Sequence, residues 1–268
     1  MKNGIHSIFK MLGILIIAYL VIAIPALVYT GDISLPGRNS QDSQVSFKDI
    51  QERNPSENID VPAEKQTLNP ESSAVEYYNR TYTWEYGGSS QNYQIEIPKE
   101  MYDYYKNQSH SSQGFTKYAL TNKDRTVLNE IIFDFEKYGE SRNYTDYQNV
   151  MNLIAFIQAM PYTSDILTTG YEEYPRYPIE TLVDNGGDCE DSVILAAALL
   201  SEMGYGTVLL EFKGHLALGV DGGENFNGAH YEYKGRKYYY VETTVPGYGI
   251  GDVPDDVDAR EAKIHPMK

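Results

Sequence analysis

The chain has 268 residues, a formal net charge of -16 and a single cysteine. One cysteine excludes an intrachain disulfide and any metal or iron–sulfur site built on several thiolates, and the acidity argues against a nucleic-acid partner, which Lys and Arg would have to hold. The length allows one large domain or two small ones, with enough chain to bury a sizeable core.

Residues 1–30 are predicted to form an N-terminal transmembrane anchor. Residues 11–30 contain no charged side chain, and a helix of this length spans about 30 Å, the thickness of a bilayer core. Two lysines precede the stretch and all acidic residues follow it, so the positive-inside rule places the N-terminus in the cytoplasm and the bulk of the chain outside. A cleaved signal peptide is the alternative, but its apolar stretch is usually shorter.

Residues 31–75 are predicted to be a flexible polar linker. They are rich in Ser, Asn, Gln, Pro and acidic residues, with Phe47 as the only aromatic. Such a segment cannot bury enough apolar surface to offset the entropy of ordering. The composition changes at Glu76, and 23 of the 25 tyrosines lie between Tyr77 and Tyr248. We therefore expect one folded domain over residues 76–268.

The periodicity within this domain predicts a hairpin, then helices, then strands. Residues 81–86 and 92–97 alternate around a Gly-Gly turn, which is typical of a β-hairpin. Apolar spacing and Pro or Gly boundaries predict helices over 98–106, 124–138, 144–160 and 188–203. Strands are expected over 207–212, 215–220, 230–233 and 237–243. This order indicates an α+β fold with an antiparallel sheet.

Cys189 is the first candidate catalytic residue. Asp188 is a good N-cap after a Gly-Gly turn, so Cys189 should lie in the first helical turn, where the helix dipole stabilises a thiolate. Glu190 and Asp191 oppose that effect, so a thiolate would need a cationic partner. The alternative is that Cys189 is a small core residue, as many free cysteines are.

His215 is the candidate partner and Glu242 the candidate third member. Strand alternation places His215 on one face with Ala217 and Gly219, which leaves open space above the imidazole. Glu242 shares a face with Tyr240 on the last predicted strand, from which it could hold the imidazole in its tautomer. A structural histidine and a solvent-facing glutamate are the alternatives.

These residue types together predict nucleophilic acyl transfer. His215 would take the thiol proton and Cys189 would attack a carbonyl carbon, giving a thioester that water or an amine resolves. The oxyanion would be held by the Cys189 backbone N–H and one further donor, for which Gln158 and Trp84 are candidates.

Three segments of the sequence resemble the transglutaminase-like superfamily of papain-fold cysteine enzymes. They are GGDCEDSVILAAALLSEMGY (186–205), GHLALGV (214–220) and YYYVETT (238–244), and TYTWEYGGSSQNYQIEIPKEMYDYYK (81–106) resembles the leading hairpin. The stretch 156–189, which includes IQAMPYTSD and YPRYPIETLVDNGGDC, also resembles members of this group. The closest likeness is to membrane-anchored, extracytoplasmic archaeal and bacterial members, over roughly residues 76–250. The resemblance implies a papain-like core, with a buried helix bearing the cysteine packed on an antiparallel sheet. It assigns catalysis to Cys189 and His215, with Glu242 where the family usually has Asp.

The resemblance implies a cell-surface peptidase or amidase acting on protein or peptide substrates. Two alternatives are an inactive module that binds surface polypeptide or glycan, and a protein-crosslinking transglutaminase. The acidic run also resembles calcium-dependent periplasmic proteases, so Asp188, Glu190 or Asp191 could bind Ca²⁺. An N-cap and a solvated first turn explain these acids without a metal, and no cofactor is required.

Overall fold

The computed structural model describes residues 75–222 and 226–267, so the predicted anchor and nearly all of the predicted linker lie outside the described residues. In chain order the elements are β1 (Tyr77–Tyr86), β2 (Ser89–Pro98), α1 (Lys99–Lys106), α2 (Thr116–Ala119), α3 (Arg125–Arg142), α4 (Asp146–Gln158), α5 (Asp165–Thr168), α6 (Pro178–Asp184), α7 (Cys189–Glu202), β3 (Thr207–Phe212), β4 (His215–Asp221), β5 (His230–Tyr233), β6 (Arg236–Val241) and β7 (Lys263–Pro266). None of these helices is long and apolar enough to cross a bilayer.

The N-terminal hairpin forms where it was predicted but with longer strands. β1 and β2 pair antiparallel with Tyr86 opposite Ser89, so the connection is the two-residue turn Gly87-Gly88. Both glycines have positive φ, 61° and 76°, as a tight hairpin turn of the primed type requires. Alternate side chains of both strands point into the core, including the buried Trp84 and Ile97.

The main sheet has five strands in the order β5-β6-β4-β3-β7, and every pairing is antiparallel. The α+β prediction is therefore confirmed at this level. β6 ends at Val241, two residues earlier than predicted, because the backbone N–H groups of Thr243 and Thr244 turn to the Glu242 carboxylate. The sequence pattern missed α2, α5 and α6 as well as the four-residue strand β7.

The core lies between α7 and one face of the sheet. Residues 193–200 of α7 are all buried, because the helix is apolar on nearly every side. Leu216, Leu218 and Val220 of β4 pack into the same core, whereas Ala217 joins a second cluster on the opposite face. The predicted alternation of β4 is confirmed. It leaves His215 on the face of Ala217 at the start of the strand.

Candidate active site

The single cysteine is the first residue of α7. Its N-cap is Asp188, whose backbone N–H donates to Asp191 Oδ2 at 3.2 Å. One turn on, Ser192 Oγ donates to the Cys189 carbonyl oxygen at 3.0 Å and hydrogen-bonds Thr243 Oγ1 at 2.7 Å. These bonds tie the first turn of the helix to the segment that follows β6, which also carries Glu242.

The Cys189 thiol is held protonated in this arrangement. Its Sγ donates to Glu190 Oε2 at 3.2 Å. Burial raises the pKa of Cys189 far above its ordinary value, and the Glu190 charge raises it further, while a hydrogen bond from the Leu216 backbone opposes them. The acids beside the cysteine therefore act as the sequence predicted, against the helix dipole.

His215 and Glu242 are brought together by β4 and the end of β6. His215 Nε2 lies 3.4 Å from Glu242 Oε2 and 3.1 Å from the Tyr240 hydroxyl, which donates to the same carboxylate at 2.9 Å. Glu242 is 1 % exposed. Burial disfavours its charge, but hydrogen bonds from His215, Thr244 and Tyr240 outweigh that effect and lower its pKa to about 2. The carboxylate is ionised at neutral pH and can stabilise an imidazolium.

The thiol and the imidazole are neighbours through the backbone rather than through a direct bond. The Leu216 backbone that bonds the thiol belongs to the residue after His215. In the described part of the chain, no hydrogen bond joins Cys189 to His215, because the thiol is turned to Glu190. With Nε2 directed to Glu242, Nδ1 is the nitrogen left for the thiol proton. The triad stays a prediction.

The two candidate oxyanion donors are engaged elsewhere. Trp84 Nε1 donates to Asn152 Oδ1 at 2.9 Å inside the core. Gln158 Nε2 donates to the carbonyl oxygens of Glu242 and Tyr248 at 2.8 and 3.0 Å, so this buried amide supports the backbone of Glu242. These contacts give no support to either residue as an oxyanion donor, and that role also stays a prediction.

Three carboxylates gather at the start of α7. Oxygens of Asp165, Asp188 and Glu190 lie within 4.8 Å of one another. Asp188 Oδ1 is buried and has no hydrogen-bond partner among the described residues, and burial together with Glu190 raises the pKa of Asp188 to about 8. An all-oxygen donor set is the kind that Ca²⁺ prefers. The calcium expectation stands as a prediction for Asp188 and Glu190, with Asp165 beside them in place of Asp191.

Arg176 is the residue of this region that the sequence pattern missed. It is 1 % exposed, and its Nη1 reaches Asp165 Oδ1 at 2.7 Å and pairs with Asp191 Oδ2. Its backbone N–H donates to Asp191 Oδ1 at 2.6 Å. Burial opposes its charge, but the two aspartates more than compensate and raise its pKa. Arg176 thus links α5 to the first turn of α7.

No protein-family model matches the chain, and no curated protein matches its sequence. The resemblance to transglutaminase-like enzymes therefore rests on the sequence segments alone.

Proposed function

We propose that the chain is a membrane-anchored, extracytoplasmic cysteine acyl-transfer enzyme with a papain-like core, acting as a peptidase or amidase on proteins. The observation that carries the proposal is the buried, ionised Glu242 on Nε2 of His215. Burying a carboxylate costs free energy unless it accepts hydrogen bonds, and the Glu242 carboxylate accepts them from Tyr240 and Thr244 as well as from His215. The single cysteine, Cys189, is the first residue of α7 and is hydrogen-bonded by the backbone of Leu216, the residue after His215 in β4.

In this mechanism His215 Nδ1 takes the proton of Cys189, and the Glu242 carboxylate stabilises the resulting imidazolium. The thiolate attacks the substrate carbonyl carbon, and the oxyanion that forms accepts a hydrogen bond from the Cys189 backbone N–H. The imidazolium then protonates the leaving amine, and a thioester remains. His215 removes a proton from water, which hydrolyses the thioester and restores the thiol. The Cys189 side chain must first turn away from Glu190.

In this proposal a Ca²⁺ ion would bind at the start of α7, next to Cys189. Asp165, Asp188 and Glu190 are the residues that would hold it, and a cation there would offset the negative charge that raises the pKa of Cys189. The chain's own residues would then orient the thiol towards His215.

A second candidate function is a non-catalytic module that binds surface polypeptide or glycan in a groove beside His215. One observation favours it: the Cys189–Glu190 hydrogen bond keeps the thiol protonated. A groove of about 690 Å³ borders His215 and is lined by Lys213, Asp256 and Arg260 among others. Such a module would hold its ligand there without cleaving it.

Cleavage of a fluorogenic peptide library by the full chain in detergent tests the proposal. We expect Cys189→Ala to abolish cleavage and His215→Ala to reduce it by at least about 10²-fold. His230→Ala is the matched control, because His230 is an exposed strand histidine bonded to the Gly228 carbonyl, and it should retain full activity. Wild-type chain that cleaves nothing, with or without Ca²⁺, would contradict the proposal. Release of cross-linked rather than hydrolysed product would identify a transglutaminase.

A further inference from the structure

Four large apolar side chains are exposed on the segment between α4 and α6. They are Tyr162, Ile166, Leu167 and Tyr171, with exposed fractions of 62 %, 54 %, 85 % and 64 %. We call these four residues the apolar patch. They account for four of the ten large apolar side chains exposed in the described part of the chain, although they span only ten residues. An exposed concentration of large apolar side chains indicates an interaction site.

The apolar patch begins beside the candidate nucleophile. Tyr162 forms a parallel bridge with Gly187, and the Thr163 N–H donates to the Gly187 carbonyl at 2.8 Å. A small cavity at the start of α7 is lined by both Tyr162 and Asp188.

The apolar patch is presented on a well-anchored segment. α5 turns Asp165 inward to the buried Arg176, and Arg176 also holds Thr168 Oγ1 at 2.7 Å. Ile166 and Leu167, between these two anchors, point to solvent. The buried ion pair therefore fixes the side of the helix that faces inward, and leaves the apolar side uncovered.

The charges that directly follow the apolar patch in the sequence are negative. Glu172 and Glu173 follow Tyr171 directly and are exposed, and within the described residues neither forms an ion pair. Arg176, the nearest cation along the sequence, is buried and already paired. An occupant that complements this surface has a bulky apolar group and an adjacent cation.

We propose that the apolar patch is the substrate-binding surface of the site, and that it takes a polypeptide segment with bulky apolar side chains next to Lys or Arg. This inference rests on the proposed function. Apolar side chains would pack on Leu167 and the two tyrosines, while Glu172 and Glu173 would select the cations. An anionic membrane surface fits less well, because the same glutamates would repel its headgroups.

Peptide binding to full-length Cys189→Ala chain in detergent tests the inference, since this variant cannot turn over its ligand. The probes are fluorescein-labelled Gly-Leu-Phe-Lys-Lys-Gly and Gly-Leu-Phe-Glu-Glu-Gly, followed by anisotropy. We expect the lysine peptide to bind at least tenfold more tightly. Adding Leu167→Asp should weaken its binding at least fivefold. Adding Phe133→Asp, an equally drastic change at a side chain 59 % exposed on α3, should leave it unchanged.

Charge selection is tested separately. The double change Glu172→Lys with Glu173→Lys should reverse the preference between the two peptides. Equal binding of both peptides, or no effect of Leu167→Asp, would overturn the inference. So would loss of lysine-peptide binding on transfer from detergent to nanodiscs containing phosphatidylserine, which would mean that a membrane covers the apolar patch. Failure of wild-type chain to cleave peptides would refute the proposed function alone.

Discussion

Replacing Glu190 by Gln should make Cys189 more reactive. The carboxylate oxygen lies 3.2 Å from the sulfur, and a charge at that distance contributes about 1 kcal/mol in bulk water and about 5 kcal/mol at an effective dielectric constant of about 20. Because about 1.4 kcal/mol corresponds to one pH unit in a pKa, the substitution should lower the pKa of Cys189 by about one to four pH units. Because thiolate nucleophilicity falls as the pKa falls, the net gain in alkylation rate below that pKa is about 3- to 100-fold.

The assay is the rate of iodoacetamide alkylation of Cys189 as a function of pH, followed by intact-protein mass spectrometry. Glu173→Gln removes the same charge from an exposed position and should leave the profile where it is in wild-type chain. If Glu190→Gln alkylates no faster than wild type, or its profile moves to higher pH, then Glu190 does not hold the thiol protonated.

Three further predictions concern the groups around the site. Arg176→Met leaves two buried aspartates unpaired and should lower the free energy of unfolding in urea by about 3–5 kcal/mol, whereas Arg260→Met, at an exposed pair, should leave it unchanged. The folded pKa of Glu242 falls from its ordinary 4.5 to about 2, so its contribution of about 3 kcal/mol is present above pH 4.5 and is lost as pH falls towards 2; Glu242→Gln should flatten urea stability over that window. Added CaCl₂ should raise the melting temperature, and Asp188→Asn should remove the effect; no response to CaCl₂ or EGTA would dispose of the calcium site.

Much of the fold could be predicted from periodicity. The helix that begins at Cys189 follows from a Gly-Gly turn, an N-cap and an apolar run, and β3 follows from a short β-branched and aliphatic segment. By contrast, Arg176 lies between Pro175 and Pro178, and the seven-residue helix α6 that begins at Pro178 is too short to show a clear period. Burial of Arg176 depends on aspartates brought from α5 and α7, which no local pattern reveals.

The site itself was accessible only in part. Alternation along the last predicted strand placed Tyr240 and Glu242 on one face, and the Tyr240 hydroxyl does bond Glu242. The direction of the Cys189 thiol was not accessible, because the rotamer of this one side chain turns the sulfur to Glu190. The role of Gln158 was not accessible either, because its side-chain amide donates hydrogen bonds to the backbone carbonyls of residues 84 and 90 positions away in the sequence.

The most direct test of the central claim, that His215 and Glu242 activate Cys189 for acyl transfer, uses p-nitrophenyl acetate. Wild-type chain should release p-nitrophenol and carry a transient acetyl group on Cys189, detected by mass spectrometry after acid quench. His215→Ala and Glu242→Ala should both slow the acetylation of Cys189 by at least about tenfold. Acetylation that occurs at other residues only, or that proceeds at the same rate in His215→Ala, would contradict the account.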